Sequence, residues 1–276
     1  MSAAEVLDAV LAQQYNTPGE PYDGTFRRNL SGPDAHTGVV IWKDYDPNWR
    51  EFIGTTFAMT LEEYPDRIPR GLDRKLNASI LHAVASEIGN KRLIPTYTHP
   101  TLIYGFLWNF AAAPNRRANW IKESTAWQNT VYALFRKHNA FNEYNSPIYS
   151  RVDLYALGLW SRYGSTSRIR QTGRVMEEFL WESLAAFYSA NLKNVSAPFD
   201  RDYGMDMNSY VSVVGVAPRT VLSATFAPLP EQALPVTHRR DLWYASHLAN
   251  LGADILPDAM RSFRSFQGTT SQKANY

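Results

Sequence analysis

FNEYNSPIYSRVDLYALGLW, residues 141–160, decides how the chain is read. Its second half reads as part of a helix over 147–162 with an apolar core face. Its lead-in is polar. Glu143, Tyr144, Asn145, Ser146, Pro147 and Tyr149 precede the helix or open it, and Arg151 and Asp153 fall in its first turn. Either these groups cap a helix or they line a site.

The same layout extends along the chain. Periodicity predicts helices over 2–15, 47–64, 71–89, 99–113, 117–138, 147–162, 166–190 and 205–215. The breaks are Pro65 and Pro69, Gly89-Asn90, Pro114-Asn115, 142–147, Gly164-Ser165 and Pro198. Pro47, Pro100 and Pro147 sit where a first helical turn has no use for the missing N–H. Residues 16–46 are rich in Pro and Gly, with Gly38–Trp42 as their one strand-like run. Beyond 217 the chain is irregular, broken at Pro218, Pro228, Pro230 and Pro235, with helical pieces at 248–256 and 258–265.

Short links join these helices in pairs, and the pairs start about 50 residues apart, the spacing of a repeat of helical hairpins. Such hairpins either close into an α/α toroid or stack as an open solenoid. The expected fold is therefore all-α, one domain over 1–276, built as a hairpin array and incomplete α/α toroid. The lead-ins to the first helix of each pair share a pattern: a Tyr followed by small polar groups, at Tyr45, Tyr97, Tyr144 and Tyr203. In an up-down array these starts share one rim, which would also carry Asp46, His99, Glu143, Asp202 and Asp206. Helix N-termini there add unpaired N–H groups and positive dipole ends.

Composition narrows the classes. The 276 residues carry a net charge of +2, with 45% hydrophobic and 20% charged residues, so nothing calls for a nucleic-acid partner. There is no cysteine, which excludes disulfides, thiolate catalysis and Cys-ligated metals. The N-terminus lacks a basic n-region and no apolar run spans a bilayer, so the expected location is the cytoplasm, away from membranes. No G-x-G-x-x-G loop or P-loop is present, so no nucleotide cofactor is expected.

Four groups could carry chemistry. Tyr144 with Glu143 forms a possible acid–base pair, and Asn145 could hold an oxyanion. His99 titrates near neutrality on the same rim. Asp202, Tyr203 and Asp206 place two carboxylates one helical turn apart, with no clustered His to make a metal site. His238 and Asp241 could fix an imidazole tautomer, but no G-x-S-x-G elbow completes a triad. Against each stands the plainer role of cap or structural hydrogen bonder. His36, His82, His138 and His247 lie apart from clustered partners.

The stretches Trp49-Arg-Glu-Phe-Ile-Gly, 141–149 with Val152-Asp-Leu-Tyr-Ala-Leu, 200–207 and Phe263-Arg-Ser-Phe-Gln-Gly resemble a group of fungal and bacterial proteins. That group is similar to the α/α toroids of six-hairpin glycosidases and polysaccharide lyases. The resemblance implies a site in the funnel at one end, with Tyr144, Tyr149, His99, Asn145 and Arg201 as the matching positions. Here fewer than six hairpins are legible, and the chain stops at Tyr276 where relatives of that kind continue into a β-rich domain.

Together these features point to a cofactor-free enzyme of small-molecule metabolism. The expected chemistry is a dehydration, isomerisation or cyclisation of an aromatic or terpenoid-like secondary metabolite, by a lyase or isomerase. Catalysis would rest on Tyr144, Glu143, His99, Asn145 and Asp206, and binding on Tyr45, Trp49, Tyr97, Tyr149, Arg201, Tyr203 and His238. A carbohydrate lyase or hydrolase acting on small oligosaccharides, and a non-catalytic helical scaffold, are the alternatives. A homodimer would cover apolar helix faces left open.

Overall fold

A computed structural model describes residues 2–27, 38–113, 117–200, 213–227, 244–253 and 255–265. Among them the fold is all-α. Its helices are α1 (Ala3–Leu11), α2 (Trp49–Glu63), α3 (Leu72–Asn90), α4 (Thr98–Ala112), α5 (Ala118–Phe135), α6 (Ser150–Tyr163), α7 (Ser167–Phe187), α8 (Val213–Val221), α9 (Tyr244–Leu251) and α10 (Pro257–Arg264). Two short strands, β1 (Tyr188–Ser189) and β2 (Asn194–Val195), pair antiparallel after α7. The sequence suggested one domain. The contacts gather in two compact units, 1–127 and 128–276, with the division inside α5.

In the N-terminal unit α2 and α3 form a hairpin that packs on α4. Nearly every residue of α4 is buried, the mark of a helix enclosed on all sides. Its links to the start of α5 are polar and aromatic: the Asn109 amide donates to Ser124 Oγ at 3.2 Å, and the Trp127 indole to the Thr101 carbonyl at 3.2 Å. Trp127 meets Tyr104 edge-on at 5.3 Å. In the C-terminal unit α6 plays the enclosed part, buried from Ser150 through Trp160, with α7, α8 and α9 against it.

The α6–α7 pair packs backbone to backbone. A Cβ placed on Gly173 would stand 2.6 Å from Trp160 Cβ and 2.8 Å from the Ser161 nitrogen. No side-chain rotation relieves a clash with backbone, so glycine is required by space.

Several expectations are corrected. Gly38–Trp42 is not a strand: Asp44 closes a turn by donating its N–H to the Val40 carbonyl and accepting the Val40 N–H on Oδ2. Only an isolated bridge joins Ile41 to Tyr45, and Trp42 is left-handed at φ 69°. Local turn bonds satisfy the backbone there, and among the described residues no strand lies beside it to pair with. The N-terminal helix ends at Leu11 rather than 15. Pro47 and Pro147 precede their helices, which start at Trp49 and Ser150, whereas Pro100 does lie in the first turn of α4. Pro218 is no break but lies inside α8. The expected helix over 205–215 falls mostly outside the described residues, which resume within α8 at Val213.

Substituting Gly173→Ala should lower stability by about 1–3 kcal/mol through overpacking. Urea denaturation of the variant reads this directly, and an unchanged midpoint would refute the close packing of α6 on α7.

Candidate functional site

The helix starts answer the opening question. Asn48 before α2, Tyr97 before α4 and Tyr149 before α6 make no side-chain cap hydrogen bond. By contrast Ser2 and Thr166 do cap their helices. None of these three residues caps its helix, although Ser146 Oγ accepts the Tyr149 N–H just ahead of α6, so the polar lead-ins combine local turn bonds with other contacts.

In the C-terminal unit they line a pocket. Glu143, Tyr144, Asn145, Ser150 and Asp153 form its polar side, with Phe135, Phe141, Phe179, Leu180 and Leu184 opposite in chemical character. The enclosed space is about 20 Å³, room for a single water. A larger ligand therefore needs the rings to move aside. Asp153, in the first turn of α6, is 1% exposed, and its Oδ1 has no hydrogen-bond partner. Burial first, and then the negative charge of Glu143, push its carboxyl well above the usual carboxylate range. Both effects favour its neutral form. Asp153 faces a pocket that also holds a second carboxyl and a phenol.

Asn145 has a different part from the oxyanion holder expected. Its backbone is left-handed at φ 47°, and its amide nitrogen donates to the carbonyls of Ser196 and Pro198 at 2.9 and 2.7 Å. The Asp200 N–H donates to the Tyr144 carbonyl. Asn145 is thus a clamp that fastens 196–200 to the lead-in. Tyr144 packs edge-on to Phe187 at 5.9 Å. Tyr149 is half-buried, its N–H donating to Ser146 Oγ. Arg151 stacks its guanidinium over the Tyr244 ring at 4.5 Å.

In the N-terminal unit the start of α2 buries a second acid. Arg50 and Glu51 are each 1% exposed. Glu87 Oε2 on α3 accepts from Arg50 Nη1 and from Arg92 Nη2, both at 3.2 Å. Arg92 Nη1 donates to Asn48 Oδ1 at 2.9 Å, which explains why Asn48 does not cap. Neither oxygen of Glu51 has a hydrogen-bond partner; its nearest cation is Arg92 Nη2 at 3.6 Å. Burial and the neighbouring Glu87 push the Glu51 carboxyl up to about 8, with Arg92 and Arg50 pulling the other way. Burial, with Glu87 and Glu51 nearby, also raises the Tyr104 phenol.

The other expected residues divide. His99 is buried and meets Tyr97 edge-on at 5.6 Å. Tyr45 is buried in a tyrosine cluster with Tyr22 and Tyr15 rather than at a mouth. Trp49, half-buried, opens α2. Tyr45 and Tyr97 belong to one unit and Tyr144 to the other. Arg201, Asp202, Tyr203, Asp206, His238 and Asp241 lie outside the described residues. Asp153, Glu51, Glu87, Arg50 and Arg92 were missed as candidates. The available signal was an Arg followed by an acid in the first turn of a pair's leading helix, at Arg50-Glu51 and Arg151-Val-Asp153.

The Glu51 proton has a thermodynamic signature. Unfolded, the group titrates at its ordinary 4.5; folded, at about 8. Between these the unfolded chain releases a proton that the native state keeps, so stability is lost as pH rises from about 4.5 through about 8. Wild-type thermal midpoints should fall across this window by several degrees more than those of Glu51→Gln. Parallel pH profiles for the two would contradict the assignment.

The model of the family described as a domain of unknown function, DUF8769, matches residues 1–253, and the chain belongs to that family. No curated protein and no solved structure matches it.

Proposed function

We propose that the protein is a cytoplasmic, cofactor-free enzyme that uses a buried carboxylic acid to dehydrate, isomerise or cyclise a hydrophobic, aromatic or terpenoid-like metabolite. The observation that carries this is Asp153: a buried carboxyl in the first turn of α6 whose neutral form is favoured, inside the pocket that Glu143 and Tyr144 also line. A buried carboxyl whose neutral form is favoured can work with a second carboxyl in the same pocket as an acid–base pair. No helix among the described residues is long and apolar enough to cross a membrane.

The chemistry follows from the parts. In a dehydration Asp153 Oδ donates its proton to the substrate hydroxyl, the C–O bond breaks, and water leaves. Glu143 then accepts a proton from the neighbouring carbon as the C=C bond forms. A third proton transfer, from Glu143 back to Asp153, restores the starting state. The phenyl rings of Phe135, Phe141 and Phe179 suit a hydrophobic skeleton and keep water from a developing cation. Cyclisation and isomerisation need the same acid and the same base, without loss of water.

A second reading has one specific support. A protonated acid and a second carboxyl in one pocket also serve glycoside hydrolysis when they stand about 5–10 Å apart. The apolar wall favours the first reading.

The test is turnover of two panels, terpenoid and aryl-alkyl alcohols in one and small oligosaccharides in the other, by wild type, Asp153→Asn, Glu143→Gln and Tyr144→Phe. Asp153→Asn should lower kcat on the accepted substrate by about 10²–10⁴-fold while the thermal midpoint holds or rises. Full activity in Asp153→Asn would refute the proposal, and turnover of oligosaccharides alone would transfer it to the second reading.

A further inference from the structure

Residues 13–27 form a loop closed on itself. The Tyr15 N–H donates to the Thr25 carbonyl, Gly24 to Tyr15 and Arg27 to Gln13, with an isolated antiparallel bridge between Gln14 and Phe26. The loop lies along one face of α3. Gln14 Nε2 donates to the Ser79 carbonyl at 3.0 Å, His82 Nε2 lies 3.0 Å from both carboxylate oxygens of Asp23, and Ser86 Oγ donates to Asp23 Oδ2 at 2.6 Å. Ser79, His82 and Ser86 are spaced three and four residues apart, so they share that face.

Two groups hold the middle of the loop. The Asp23 carboxylate gathers Ser86, His82 and the Thr17 N–H, the last at 2.7 Å. Arg50 reaches from α2 and donates from Nε and Nη2 to the Asp23 carbonyl at 2.8 and 2.6 Å, and from Nη2 to the Pro21 carbonyl at 2.7 Å. Around Arg50 stand Glu51 beside it, Glu87 on α3, Arg92, and Tyr45. Phe26, fully buried edge-on to Phe57, pins one end. The other end leads from α1, which has no buried residue and holds α3 through the exposed Lys75–Asp8 pair.

We propose that residues 13–27 are a strap that lifts from α3 as a body, hinged at Phe26 and caught by Arg50 and Asp23, to uncover the first turn of α2. Lifting costs the bonds from Arg50 to the strap, those of Asp23 to Ser86 and His82, the Thr25 hydroxyl's bond to the Asp46 carbonyl, and the packing of Tyr22 on Tyr45. The return of Arg50 and Asp23 to water offsets part of that cost. The bonds inside the loop survive the movement, so lifting breaks less than unfolding of the unit does. The catch is acid-sensitive. Burial raises the Asp23 carboxyl, but Ser86, the Thr17 N–H and His82 together bring it below its usual value. Its contribution is therefore present above the unfolded value and lost as pH falls through the folded one. This inference stands apart from the Asp153 chemistry.

The chain has no cysteine, so one reporter thiol is unambiguous. Ser79→Cys places it on the covered face of α3, where Ser79 is 6% exposed. Labelling with iodoacetamide at pH 8 is followed in this parent and after adding Asp23→Asn or Ser86→Ala, across low urea concentrations. The expected result is labelling about tenfold or more faster with Asp23→Asn and less so with Ser86→Ala, with rates nearly independent of urea, the mark of local opening. Should Asp23→Asn fail to fold, Ser86→Ala decides alone. Unchanged rates, or rates that climb with urea as steeply as global unfolding, would overturn the strap.

Discussion

A carboxyl group taken wholly out of water must find a cation and hydrogen-bond donors or keep its proton. Asp153 is under that constraint. It sits in the first turn of α6, is buried, and has a second carboxyl beside it. The negative charge of Glu143 adds to burial in favouring the neutral form of Asp153. Glu143, Tyr144 and Asn145 of the lead-in line the same pocket. Asn145 fastens 196–200 against the lead-in, which keeps Glu143 and Tyr144 in register with α6.

The N-terminal unit meets the same constraint with a different balance. Its two buried carboxyls face two guanidiniums, yet the pairing is uneven. Glu87 takes a bond from both arginines while Glu51 takes none. One pair of charges is thereby satisfied and one acid is left to keep a proton. Arg50 is the pivot, because its remaining donors run outward to the loop at 21–23. The ion network that stabilises the start of α2 is the same one that holds the N-terminal loop in place.

Much of this was legible in the sequence, and unevenly. Long helices such as α3 and α7 were found within a few residues, because a sustained apolar stripe has only one period. Gly38–Trp42 misled because five apolar residues look the same in a strand and in a turn, and only pairing distinguishes them. The lead-in 143–145 does line a pocket, although polar residues before a helix are as readily read as caps. The role of Asn145 was misread: an amide's chemistry is visible in sequence, but the carbonyls of Ser196 and Pro198, some fifty residues away, are not. Glu51 and Asp153 were passed over for a related reason. An acid in a first turn usually stabilises the helix dipole from the surface, and burial, which turns it into a proton donor, is a tertiary fact.

Carbon-13 NMR of side-chain carboxyls, with Asp153→Asn used to assign the resonance, tests the central claim most directly. The resonance lost in that variant should show a carboxylic acid still protonated at pH 7 in the wild type. If it instead titrates at or below the ordinary 3.8, Asp153 is a plain carboxylate and no acid stands in the pocket.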